Sequence, residues 1–164
     1  MLGKKMEEAL NKQVNAEFYA SFLYMSMSAD FEAKNLPGIA HWMMEQAKEE
    51  YEHAMKFYRH IVERGGAVKL EAIEGPKTQW KDALEAFSEA YGHEQKVTGM
   101  INKLVEISEA EKDYASRSLL QWFVDEQVEE EAQTSLIVEQ LKMTAGSNGG
   151  LLMLDHRLGK RKED

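Results

Sequence analysis

The chain has 164 residues, 43% hydrophobic and 30% charged, enough for one substantial core in a single domain and too apolar for a disordered chain. It has no cysteine, which excludes disulfides, thiolate zinc or iron-sulfur sites and cysteine nucleophiles, and its formal charge of -9 repels nucleic acid and anionic membranes while attracting cations. The opening MLGKKMEEAL lacks the apolar stretch of a signal peptide, and no window approaches the roughly 18 unbroken apolar residues of a membrane span, so a cytoplasmic location is expected.

From Lys4 to Ala33 apolar residues recur at helical spacing with no proline or glycine. The NLPG segment breaks this first helix, with Asn35 expected as N-cap and Pro37 in the first turn of a second helix that runs to Arg64, where GG stops it. Residues 65–79 form a long connection. A third helix is expected from about Trp80 to Ala110 and a fourth from about Asp113 to Thr144, followed by a short fifth helix over LLMLDHRL (Leu151 to Leu158) and a solvated tail, GKRKED. Helices of this length span roughly 40–48 Å and must lie side by side. The short first and third turns make antiparallel pairs, whereas the second connection has an extended reach near 50 Å, enough for the full height of the bundle. The expected fold is all-α, an up-down-down-up four-helix bundle with one long crossover.

Each helix carries a core-facing seam, and each seam is interrupted near its middle. The first reads Leu10, Val14, Glu17, Ser21, Tyr24, Ser28, Phe31; the second Leu36, Ala40, Met43, Ala47, Glu50, Ala54, Phe57, Ile61. The third reads Trp80, Leu84, Phe87, Tyr91, Glu94, Thr98, Ile101, Val105; the fourth Ser116, Leu120, Phe123, Gln127, Glu130, Thr134, Ile137, Leu141. Glu17 and Glu50 lie 33 positions apart, as do Glu94 and Gln127, so the second helical pair is a degenerate echo of the first. Because all four interruptions lie at similar depth, they converge on one level of the bundle. Burying several carboxylates unpaired costs several kcal/mol apiece. No lysine or arginine sits on the seams, which leaves shared protons or bound cations. Glu17, Glu50, Glu94 and Glu130 balance two divalent ions beside a neutral His53, and oxygen donors with one imidazole suit iron(II) or manganese(II).

Blander readings hold for the parts taken singly. One Glu-x-x-His on a helix is common, and DEQVEEE is ordinarily a solvated face, where Glu52 and Glu131 are also placed. His41, His60, His93 and His156 have no comparable partners and read as surface or packing residues, and the ten methionines as core or interface filler. The coincidence of four interrupted seams favours a buried metal site over a proton-sharing polar core.

The pattern resembles the non-haem bacterial and archaeal ferritins over essentially the whole chain. NAEFYASFLY around Glu17, EEYEHAMKFY around Glu50 and His53, YGHEQ around Glu94 and LQWFVDEQVEEEA around Gln127 and Glu130 carry the likeness. The resemblance implies a ferritin-like bundle with a di-iron ferroxidase centre: Glu17 and His53 on one iron, Glu94 and Glu130 on the other, Glu50 bridging and Gln127 beside them. It also implies a third iron position at Glu49, Glu126 and Glu129, with Glu130 shared. Tyr24 matches the tyrosine near the centre, and Trp122 is a candidate electron donor. The implied activity is oxidation of Fe(II) by O2 or H2O2, with ferric mineral deposited in a hollow 24-subunit homo-oligomer, and neither nucleic acid nor membrane as partner. Bacterioferritin would show a second Glu-x-x-His where this chain has Gln127-x-x-Glu130, so no haem is expected. The lack of cysteine separates the chain from rubrerythrin, and the complete set within one bundle separates it from Dps-type cages. A second apolar stripe, Phe18, Phe22 and Met25, is expected to form a subunit contact, or else to lie beneath the crossover. In the shell the short fifth helix would lie near the fourfold axis, and Glu106, Glu109, Glu111 and Asp113 would line iron access routes. The remaining functional alternative is a metal-stabilised bundle or buffer without turnover.

Overall fold

The structure, a computed structural model, describes residues 1–162. Five helices follow one another, α1 (Lys4–Ala33), α2 (Pro37–Glu63), α3 (Ala83–Ala110), α4 (Tyr114–Met143) and α5 (Asn148–Leu158), with no strand among the described residues. The all-α bundle with a short fifth helix is therefore the observed fold. None of the helices is long and apolar enough to cross a membrane.

The turns explain the helix ends. After α1, Leu36 N–H bonds to Phe31 O and Asn35 N–H to Glu32 O, and Asn35 adopts φ 57°. This is the left-handed turn that closes a helix, so Asn35 ends α1 and does not cap α2 as expected. The same pair of bonds recurs at Gly65 and Gly66 after α2, and at Lys112 and Asp113 after α3, where Lys112 has φ 54°. α3 begins three residues later than expected: Asp82 accepts from Glu85 N–H and sets the start, while Trp80 stays buried in the preceding segment, its indole donating to Glu89 at 2.8 Å. Asp113, expected to line an access route, is instead committed to capping α4 through Ser116 and to an ion pair with Arg64 at 2.8 Å.

The crossover runs the height of α1. Asn11 Nδ2 donates to Ala67 O and Asn11 Oδ1 accepts from Lys69 N–H; Asn15 repeats this pattern with Lys69 O and Glu71 N–H. Further along, Ser26 donates to Lys77 O and Asp30 accepts from Trp80 N–H. Residues 67 to 80 thus climb beside residues 11 to 30, and α1 side chains satisfy an otherwise unpaired loop backbone. That path makes α2 and α3 parallel, the up-down-down-up order. It leaves Phe22 (45%) and Met25 (47%) exposed, so the crossover does not cover the second apolar stripe.

The seams of α1 and α4 are buried throughout, and that of α2 is buried except for the half-exposed Leu36 at its entry. On α3 the expected face is rotated: Leu84, Tyr91, Thr98 and Val105 are only half-buried, whereas Ala83, Ala86, Ala90, Val97 and Leu104 face inward with Phe87, Glu94 and Ile101. The apolar core forms two clusters. One contains Tyr24, Phe31, Met43, Phe87 and Ile137; the other contains Leu10, Phe57, Ile101, Leu120 and Phe123. On every long helix the polar interruptions fall between the residues of these clusters, at one level of the bundle.

Candidate metal centre

At that level Glu17, Glu50, His53, Glu94, Gln127 and Glu130 are all at most 4% exposed. One ligand atom from each of Glu17, Glu50 and His53 lies within 4.8 Å of the others, and the same holds for His53, Glu126 and Glu130. Helical geometry brings Glu50 and His53, three apart on α2, into contact, and His53 Nδ1 donates to Glu50 Oε2 at 3.2 Å. Glu94 is held differently. Tyr24 hydroxyl donates to one of its oxygens, and Gln127 Nε2 donates to the other and to Glu94 O, each at 3.2 Å.

Two further amides complete the set. Gln13 Nε2 donates to Glu17 Oε1 at 2.7 Å, and Gln46 Nε2 donates to both Glu50 Oε1 and Glu130 Oε2 at 2.9 Å. Every one of the four carboxyl groups therefore receives an amide bond. Glu17 Oε2, however, is buried with no hydrogen-bond partner. A buried acceptor without a donor is costly unless something else occupies its lone pairs. Three facing ligand atoms and an orphaned oxygen in a dry interior fit a divalent cation.

Electrostatics describe the centre without metal. Burial, reinforced by the charge of Glu50, pushes the Glu17 carboxyl up to about 8. Burial, again with Glu50, raises Glu94 to about 8 and Glu130 well above the usual range. Burial would also raise Glu50, but the hydrogen bond and charge of His53, with the Gln46 bond, outweigh it and hold Glu50 low. His53 rises to about 10: burial opposes its charge, and the Glu50 bond with the charges of Glu50, Glu17 and Glu130 overcomes that. Near neutrality the metal-free centre is thus a Glu50–His53 ion pair surrounded by protonated acids. Protons thus relieve the repulsion among the buried carboxylates.

The centre opens on one side into a hollow of 740 Å³ lined by His53, Glu49, Glu126, Glu129 and Trp122, among others. Glu126 is half-buried, and burial raises its carboxyl. Trp122 sits edge-on to the His53 ring at 5.5 Å, with Lys56 Nζ 4.0 Å above its face. Glu52, at the same hollow, is exposed as expected, but Glu131 is not simply solvated, since it accepts from the Thr98 hydroxyl at 2.6 Å. His93 packs edge-on against Tyr24 at 6.4 Å and belongs to neither set of facing ligand atoms.

The ferritin-like domain family matches residues 7–144. The chain belongs to the ferritin family. It is 40% identical over 161 residues to the bacterial non-heme ferritin of Bacteroides fragilis (strain 638R), covering 98% of this chain and all of that one. The bacterial non-heme ferritin of Staphylococcus aureus (strain MRSA252) is 38% identical over 164 residues, covering all of this chain and 99% of the relative. Among solved structures, an open pore ferritin from the hyperthermophilic archaeon Archaeoglobus fulgidus superposes with a TM-score of 0.98 at 46% identity, over 99% of this chain and all of that chain. A humanized archaeal ferritin gives 0.97 at 44%, over 99% of each. Membership accounts for the bundle and supports iron storage as the general role.

Three groups at this ferritin's centre escaped the sequence reading. Gln13 and Gln46 each precede an interrupting glutamate by four residues and are themselves 33 positions apart, so the repeat already contained them. Arg161 lies in the segment expected to be a solvated tail. It is instead 12% exposed, its guanidinium 2.9 Å from Gln46 Oε1 and 2.5 Å from Glu49, and no local pattern announces it.

Proposed function

We propose that this ferritin oxidises Fe(II) with O2 or H2O2 at a pair of positions within each subunit and stores the ferric product inside a hollow 24-subunit shell in the cytoplasm. Glu17 and His53 hold one iron, Glu94 and Glu130 the other, and Glu50 bridges; Gln127 and Tyr24 hold Glu94 in place. The observation that carries this reading is the orphaned Glu17 Oε2 beside Glu50 and His53 in the dry interior. Two irons side by side give up two electrons together, which takes dioxygen to the level of hydrogen peroxide without a free one-electron radical. Glu50, ionised before loading, is the first carboxylate ready for a cation, and the remaining acids and His53 must release protons as iron arrives. Glu49, Glu126 and Glu129, facing the hollow, would offer a third iron position, and Trp122, beside the His53 ring, would supply an electron. The exposed Phe22 and Met25 support a subunit contact.

Protein prepared without oxygen and given two Fe(II) per subunit should consume about one O2 per two irons, far faster than iron alone. Binding of the iron without oxygen uptake would instead establish a metal buffer. Light scattering tests assembly separately, since a stable monomer at working concentration would defeat the storage shell and leave the centre intact.

A further inference from the structure

Gln46 lies one turn before Glu50 and is fully buried. Its two amide protons are both spent, on Glu50 Oε1 and Glu130 Oε2, so a single side chain ties an acid of α2 to one of α4. Its remaining polar atom, Oε1, accepts from Arg161 Nη1 at 2.9 Å. Turned end for end, the amide would set its oxygen against two acids and its NH2 against a guanidinium, which has no acceptor. Arg161 and the two carboxyl groups therefore select the same orientation from opposite sides.

The arginine is delivered by α5. Asp155 Oδ1 on α5 accepts from Ile39 N–H at 2.8 Å and caps α2, which has no cap of its own. The close approach needs glycine at 38, where a Cβ would stand 1.8 Å from Asp155 O. Beyond α5, His41 Nε2–H donates to Arg161 O at 2.8 Å, and the guanidinium lies 4.5 Å from the Trp42 ring centre while donating to Trp42 O at 3.4 Å and to Glu49 at 2.5 Å. Backbone, stacking face and both guanidinium ends are all engaged along α2.

We propose that Arg161 is a positioning residue for the metal pair: through Gln46 it fixes the amide that holds Glu50 and Glu130 in binding geometry. The inference rests on those two residues being ligands. Its effect has a diagnostic sign. Removing a positive charge near a cation site by itself tightens cation binding, whereas loss of an orienting contact loosens it.

The test uses redox-inert Zn(II), titrated calorimetrically into metal-free assembled protein: wild type, Arg161→Ala, Arg161→Lys, Gln46→Leu and the double variant Gln46→Leu/Arg161→Ala. Expected are a pair affinity weakened ~10-fold by Arg161→Ala, partial rescue by Arg161→Lys, which keeps a charged donor, and a double variant no weaker than Gln46→Leu alone. Pair binding unchanged or tighter in Arg161→Ala would reduce the arginine to a counter-charge and overturn the proposal, as would single effects that simply add. If Arg161→Ala fails to fold, Arg161→Lys carries the test, with wild-type affinity overturning it. Wild-type protein that takes up no Zn(II) pair would sink the proposed centre as well; a competent wild type with indifferent variants sinks only this inference.

Discussion

The two helical hairpins are copies in outline and opposites at the centre. In the 33-residue repeat Glu17 corresponds to Glu94, Glu50 to Gln127 and His53 to Glu130. The α1–α2 half places an ion pair and an orphaned oxygen in the core. In the α3–α4 half an amide, Gln127, stands where the first half has Glu50, and Tyr24 and Gln127 between them engage both oxygens of Glu94. Glu17 in the first half keeps an oxygen free for a cation, while both oxygens of Glu94, its counterpart in the second, are already hydrogen-bonded. A repeat fixes where polar groups meet, and single substitutions within it decide which face is reactive.

The hardest test of this asymmetry removes the paired positions. Glu50→Ala should slow the initial oxidation of two Fe(II) per subunit by more than ~100-fold, because it deletes the carboxylate proposed to bridge the two metals. Gln127→Leu at the matching position should cost only ~10-fold, since it loosens Glu94 without removing a ligand. Stopped-flow traces showing equal losses would erase the distinction between the halves.

The protons supply the next test. At pH 7 Glu17 and Glu94, near 8, and His53, near 10, are mostly protonated, so filling the pair with Zn(II) should release about three protons per subunit from these groups, with any from the raised Glu130 in addition. By pH 9 Glu17 and Glu94, near 8, are ionised beforehand, so their protons should no longer appear and apparent affinity should be higher. Calorimetry in buffers of different ionisation enthalpy counts them.

The same shifts set stability without metal. A carboxyl raised from 4.5 to about 8 binds more protons folded than unfolded across that window, so its contribution is complete below 4.5 and lost as pH climbs toward 8. Glu17→Gln keeps the shape and avoids the buried charge. It should raise metal-free stability at pH 8 by about 1–2 kcal/mol, read from the guanidinium midpoint, have little effect at pH 4.5, and impair Zn(II) binding.

How much of this the sequence disclosed follows from how local each feature is. Glu17, Glu50, Glu94 and Glu130 stand out because a charge on an apolar seam is visible within a few helical turns. The inward face of α3 was misjudged because Ala83, Ala86 and Ala90 carry little hydropathy, so Leu84 and Tyr91 drew the seam toward themselves. Asn11 and Asn15 lie off the apolar seam and carry no pattern of their own, and their task of pairing a distant loop backbone appears only once the crossover lies beside them. Arg161 is more remote still, since the α5 cap on α2 must form before its guanidinium reaches Gln46.

The smallest expected effect compares the hairpin turns themselves. Both use the residue after the helix C-cap in a left-handed conformation, Asn35 at φ 57° in the first half and Lys112 at φ 54° in the second. Asparagine tolerates this region, whereas the Cβ of lysine crowds the following carbonyl at a cost of roughly 1–2 kcal/mol. Glycine removes that crowding but gives the unfolded chain more freedom, returning about 0.4–1 kcal/mol of the gain. Lys112→Gly should therefore stabilise by about 0.5–1 kcal/mol and Asn35→Gly by less, in chemical denaturation of metal-free protein. Equal responses would mean that the second turn carries no more strain than the first, and that the halves differ only at the centre.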